Sequence, residues 1–121
     1  MKESGEMYLE TILILSREKG SVRAIDIAES MGYSKPSISR ALGKLKEDDC
    51  ISVDKNGLIA FKDKGRKIAE KIYERHQVLS DLLIKIGVDR ETALDDACKI
   101  EHDISDKTFD AIKKHIKESH K

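Results

Sequence analysis

Apolar positions recur along this chain at helical spacing, interrupted by short polar breaks. Tyr8, Leu9, Ile12, Leu13 and Leu15 follow Ser4, with Gly20 just past the last of them, which predicts a first helix over residues 4–18. Ala24, Ile27, Ala28 and Met31 mark a short second helix that Gly32 stops. A third opens at once: Ser34 can cap it, Pro36 sits where a missing N–H costs nothing, and Ile38, Leu42 and Leu45 form its inner face. After Glu47, Asp48 and Asp49 the period changes. The runs CISVD and LIAFK flank Lys55, Asn56 and Gly57, an Asn-Gly hairpin signal between two β-rich segments. Ile68, Ile72, Tyr73, Leu79, Leu82, Leu83 and Ile86 then extend one long helix from Lys64 to about Ile86, ended by Gly87. Residues 90–103 form a further helix with Ala93, Leu94, Ala97 and Ile100. Ser105 caps a last one with Phe109, Ile112 and Ile116 inward.

The predicted fold is therefore mainly α, with one small β-hairpin. Its 121 residues hold one compact domain or two small lobes and leave no room for a large catalytic scaffold. The 23 basic and 23 acidic side chains cancel, so attraction to nucleic acid has to come from local clustering. Cys50 and Cys98 form no CxxC pair, which fits a reducing cytosol rather than a disulfide framework. No leader-like or membrane-spanning run is apparent, so a cytoplasmic protein without a membrane partner is expected.

Helix, turn, helix and hairpin in that order make a winged helix-turn-helix, whose second helix enters the DNA major groove. Charge follows the same pattern. From Tyr33 to Lys46 the chain carries Lys35, Arg40, Lys44 and Lys46 and no acid. Ser34, Lys35, Ser37 and Ser39 offer donors to phosphates or base edges at a helix start, Arg40 suits a guanine O6/N7 edge, and Pro36 can press on a thymine methyl. In the hairpin Lys55, with Lys62, Lys64 and Arg66 nearby, can hold the flanking backbone. The competing readings are a solvated basic face or a winged helix that docks protein as an adaptor; failure to bind any DNA at low salt would favour the latter.

The densest chemistry lies in DDACKIEH, where Cys98, Glu101 and His102 stand at i, i+3 and i+4 and share a helix face. Thiolate, carboxylate and imidazole suit a divalent transition metal, but one helix cannot close the coordination shell. Met7 and Glu10, three residues apart on the first helix, and His76 in ERHQVLS are weaker candidates. Periodicity alone leaves ligand and core readings both open. A metal-dependent hydrolase with Glu101 as base is a third possibility, disfavoured by the lack of HExxH spacing, and no small-molecule substrate is expected.

EMYLETI, KPSISRAL, RHQVL followed by IGVD, and DACKIEHDIS resemble, in that order, the iron-dependent repressors of the diphtheria toxin repressor family and the related manganese transport regulators. The resemblance spans nearly the whole chain. It implies no enzyme but a homodimeric, metal-activated repressor of palindromic operators of metal-homeostasis genes. Residues 1–66 would form the winged helix-turn-helix DNA-binding domain and residues 67–121 the helical metal-binding and dimerisation domain, without the SH3-like domain of longer members. The primary site of iron-type members falls on Met7, Cys98, Glu101 and His102. Manganese-type members carry acidic residues where Met7 and Cys98 stand, whereas Glu10 matches their acidic ligand on the first helix. His76 matches an ancillary ligand in both branches, and two further ancillary positions of the iron-type pattern fall on Ser80 and Leu94, neither a convincing donor, so a second ion would use Glu10, His76 and shared Glu101. The soft thioether and thiolate favour iron(II), with manganese(II) as runner-up. An ion held from both ends of the chain would lock two recognition helices at about one helical turn of DNA, roughly 34 Å.

Overall fold

The structure, a computed structural model, describes residues 3–119. The chain runs α1 (Glu3–Lys19), α2 (Ala24–Met31), α3 (Lys35–Glu47), β1 (Ile51–Val53), β2 (Ile59–Phe61), α4 (Asp63–Lys85), α5 (Arg90–Ile100) and α6 (Asp106–Ser119). It divides into two compact units, the first reaching Glu70 and the second beginning at Lys71, with the boundary inside α4.

In the first unit α1 packs on α2 and α3, and α3 on β1. Leu9 and Ile12 of α1, Ile27 of α2 and Ile38 of α3 are fully enclosed, with Val22 and Ile51 closing the core. Each such aliphatic side chain contributes about 1.5–3 kcal/mol by leaving water. The turn between α2 and α3 works because Gly32 adopts φ 71°, a left-handed conformation in which its N–H reaches Ala28 O. Ser34 then caps α3: its Oγ accepts from the Ser37 N–H at 3.3 Å, an arrangement that stabilises a helix start by about 1 kcal/mol. At α2 the carboxylate of Asp26 accepts from the Arg23 N–H at 2.8 Å.

β1 and β2 pair antiparallel with Ile51 opposite Phe61 and Val53 opposite Ile59. The hairpin predicted across Lys55, Asn56 and Gly57 is present, and the Asp54 N–H closes it on Leu58 O at 3.0 Å. Asp54 Oδ1 accepts from both the Asn56 and Leu58 N–H groups, and Asp54 O accepts from Gly57 N–H. The carboxylate thus organises a loop over 54–58 in which only Gly57 takes positive φ, at 81°. Two backbone bonds fasten this wing: the Ile59 N–H donates to Val22 O and the Lys62 N–H to Cys50 O, each at 2.9 Å.

The second unit buries Leu79 of α4, Ala97 of α5 and Phe109 of α6 against one another, with Val78, Ile100, Ile104 and Ile112 around them. One expectation is corrected: α5 stops at Ile100 rather than running to 103, and residues 101–103 form a turn. Of the inward residues of α6, Phe109 is enclosed, Ile112 packs half-buried against that cluster and Ile116 is half-buried. Ser105 does cap α6, accepting from the Thr108 N–H at 3.1 Å. No helix among the described residues is long and apolar enough to cross a membrane.

Candidate metal centre and nucleic-acid interface

Cys98 lies in the last turn of α5, whereas Glu101 and His102 fall just beyond its end. The backbone nevertheless stays right-handed at Glu101 (φ −58°, ψ −26°), and its N–H still reaches Ala97 O at 2.9 Å. The helical offset of three and four residues therefore survives the end of the helix. One donor atom from each of Cys98, Glu101 and His102 lies within 4.8 Å of the others.

Glu101 is the centre of the group. It is fully buried, a costly place for a carboxylate unless charge or hydrogen bonding answers it. Its Oε2 is 2.8 Å from His76 Nδ1, and its Oε1 lies 3.4 Å from His102 Nε2, whose side chain is also enclosed. Among the described residues, Oε1 accepts no hydrogen bond. A buried carboxylate oxygen facing an imidazole and a nearby thiol is a fitting seat for a divalent cation, and sulfur, oxygen and nitrogen donors suit borderline transition ions.

Other predicted ligands stand as follows. His76 joins the group through Glu101. Met7, half-buried, and Glu10, buried, lie on α1 in the first unit. Ser80 is buried and its hydroxyl donates to His76 O at 2.6 Å, so that hydroxyl is engaged by the helix itself, and Leu94 offers no donor atom.

Arg75, which sequence reasoning passed over, is 5% exposed. Its guanidinium donates to Glu101 O at 3.1 Å, to Ile104 O at 2.7 Å and to Asp106, and lies 5.4 Å from the Phe109 ring centre. The only local signal was a charged residue on the apolar side of α4, next to His76. Asp106 also accepts from Lys71 at 2.6 Å. That bond chiefly, with the charges of Lys71 and Arg75, holds the Asp106 carboxyl below the usual carboxylate range. A depressed folded-state pKa gives stability that is present above the unfolded value, about 3.9, and is lost as pH falls through the lower folded value. In denaturant titrations the stability gap between the native chain and Asp106→Asn should accordingly narrow between pH 5 and pH 3. An unchanged gap would show that the ion pairs add nothing.

On the first unit, α3 turns Ile38, Leu42 and Leu45 inward and leaves Ser34, Lys35, Pro36, Ser39, Arg40 and Lys44 exposed, with Ser37 half-buried. Ser34 and Ser37 hydroxyls bond each other at 2.9 Å. Lys55 is exposed at the wing tip. Three neighbouring cations are engaged within the protein: Lys62 pairs with Asp49 at 2.6 Å, Lys64 donates to Asp48 O at 3.0 Å, and Arg66 lies over the Phe61 ring. Tyr33, 48% exposed, stands edge-on to Tyr8 immediately before the α3 cap, and Arg23 donates to Asn56 O of the wing tip at 3.2 Å. Both border the basic face; an aromatic in a polar turn was the only sequence signal for the first.

These features define a winged-helix regulator class with a metal-competent donor cluster. Comparison with known proteins agrees. Residues 1–59 match the N-terminal DNA-binding domain of iron-dependent repressors, and residues 62–121 match their metal binding and dimerisation domain. The HTH-type transcriptional regulator MntR of Bacillus pumilus is 37% identical over 109 residues, covering 90% of this chain and 76% of that protein. MntR of Bacillus subtilis is 36% identical over 109 residues, with 90% and 77% covered. Among solved structures, the metal-dependent transcriptional regulator MtsR superposes with a TM-score of 0.87 at 26% identity, covering 97% of this chain and 55% of that one. The manganese regulator SloR gives 0.82 at 26%, covering 93% and 53%, so the chain spans about half the length of these two structures. The chain belongs to the iron-dependent repressor family, whose members are DNA-binding transcriptional repressors and not enzymes.

Proposed function

We propose that this chain is a divalent-metal-activated repressor that binds a palindromic operator as a homodimer in the cytoplasm, sensing metal through Cys98, Glu101 and His102. The observation that carries the reading is the fully buried Glu101 carboxylate with imidazoles at both oxygens. A bound cation would neutralise that carboxylate and tie its three donors into one rigid turn. Met7 and Glu10 are the further donors suggested by the family resemblance. Lys35, Ser39, Arg40 and Lys44 present donors along the exposed face of α3, with Lys55 at the wing. Arg40 is the residue best suited to a guanine edge, a contact worth about 1–3 kcal/mol of discrimination.

The likeness to the manganese regulator SloR supports manganese(II) as the ion to which this protein responds. Iron(II), favoured by the soft donors, is the second reading, and Cys98 within the cluster is the observation that keeps it.

DNA selection from a random library, with manganese(II) or anaerobic iron(II), tests both parts. The expected result is a palindromic sequence recovered only with metal, weakened steeply by salt as phosphate contacts require. Tight binding indifferent to chelator would overturn the metal switch.

A further inference from the structure

Arg75 grips the same residue that carries the buried carboxylate, but by its backbone. Its Nη1 donates to Glu101 O and Ile104 O, carbonyls of the turn that joins α5 to α6. Its other nitrogen reaches Asp106, and Phe109 lies under the guanidinium plane. One residue along α4, His76 holds Glu101 Oε2. Consecutive residues of one helix thus fix the main chain and the side chain of Glu101. A rigid fork is needed for this, because a single nitrogen bridges two carbonyls while its twin is anchored to a carboxylate.

Building on the metal reading above, we propose that Arg75 is a positioning residue of the metal centre: it holds the turn at 101–104 in the conformation that makes the Glu101 and His102 donors converge with Cys98. Arg75 does not ligate. It acts by fixing the backbone from which two ligands project, and outer partners of metal ligands typically change affinity by about 10- to 100-fold when removed.

Anaerobic cobalt(II) titration of the full chain tests this, reading the d–d absorption envelope and the Cys98 thiolate-to-cobalt charge-transfer band, with helical content followed in parallel. Arg75→Lys keeps the charge and loses the fork. It is expected to fold, to bind cobalt about 10- to 100-fold more weakly, and to show an altered d–d envelope. Lys113→Ala removes the other cation over Phe109, at 5.6 Å, and should bind as the native chain does. A folded Arg75→Lys chain with native affinity and native spectrum overturns the proposal, leaving Arg75 a stability element only. Where Arg75→Lys does not fold, Asp106→Asn decides: loosening the anchored nitrogen should weaken cobalt several-fold and alter the envelope, and an unchanged titration overturns the proposal. A native chain that binds no cobalt overturns the metal reading itself, a result distinct from these.

Discussion

Glu101→Gln should abolish the response to metal while leaving the apo protein as stable as the native chain or more so. The two effects have opposite signs because one charge serves both. Glu101 is a fully buried carboxylate, and an amide of the same shape keeps an oxygen to face His76 Nδ1 while removing the cost of desolvating a full charge. With metal, the same charge is the main electrostatic attraction in the cluster, and an amide cannot replace it. At a metal concentration 100 times the native dissociation constant, binding stabilises the native chain by about 2.7 kcal/mol. A variant binding about 100-fold more weakly gains only about 0.4 kcal/mol under the same condition. Thermal unfolding with and without manganese(II), together with DNA anisotropy, measures both arms. A Glu101→Gln chain that retains the metal-induced rise in melting temperature would remove Glu101 from the site.

The second large effect concerns the junction of wing and helix. Gly65 lies in the first turn of α4, where Gly→Ala ordinarily gains stability, about 1 kcal/mol, through backbone entropy. Here a Cβ would overlap the backbone carbonyl of Cys50, which is itself held by the Lys62 N–H. Backbone cannot swing aside as a flexible side chain does, so overpacking of about 1–3 kcal/mol outweighs the gain. Gly65→Ala should lower the melting temperature by several degrees, and the burial of Cys50 should loosen with it, read as faster reaction of that thiol in a chain with Cys98 replaced by Ser. A neutral or stabilising Gly65→Ala would mean that β1 yields easily.

How much of this was legible beforehand follows the range of the interactions. The α3 cap at Ser34 and the inward set Ile38, Leu42 and Leu45 depend on neighbours within one or two turns, and periodicity showed them. The spacing of Cys98, Glu101 and His102 was likewise visible as a helical face. The end of α5 was not. Nothing within residues 90–103 states that the carbonyls of Glu101 and Ile104 will be taken by a guanidinium 26 and 29 residues earlier. His76 meeting Glu101 was hidden from periodicity for the same reason, and only the family resemblance placed the two together. The wing was legible locally: the loop at Lys55, Asn56 and Gly57 stands where the sequence put it, and what periodicity did not show was the Asp54 carboxylate that captures two of its amide groups.

The wing has three residue pairs, fewer than an isolated ribbon needs to persist in water, and it owes its order to the bonds at its base, on Val22 and Cys50. Its outer end is joined to the rest of the unit by the exposed bond from Arg23 to Asn56 O and is therefore only weakly coupled to the thermodynamics of folding. Doubling a flexible loop there would add only about 0.6 kcal/mol of closure entropy. The tip is a place where insertions can change the length of the wing with little disturbance to the helices beneath.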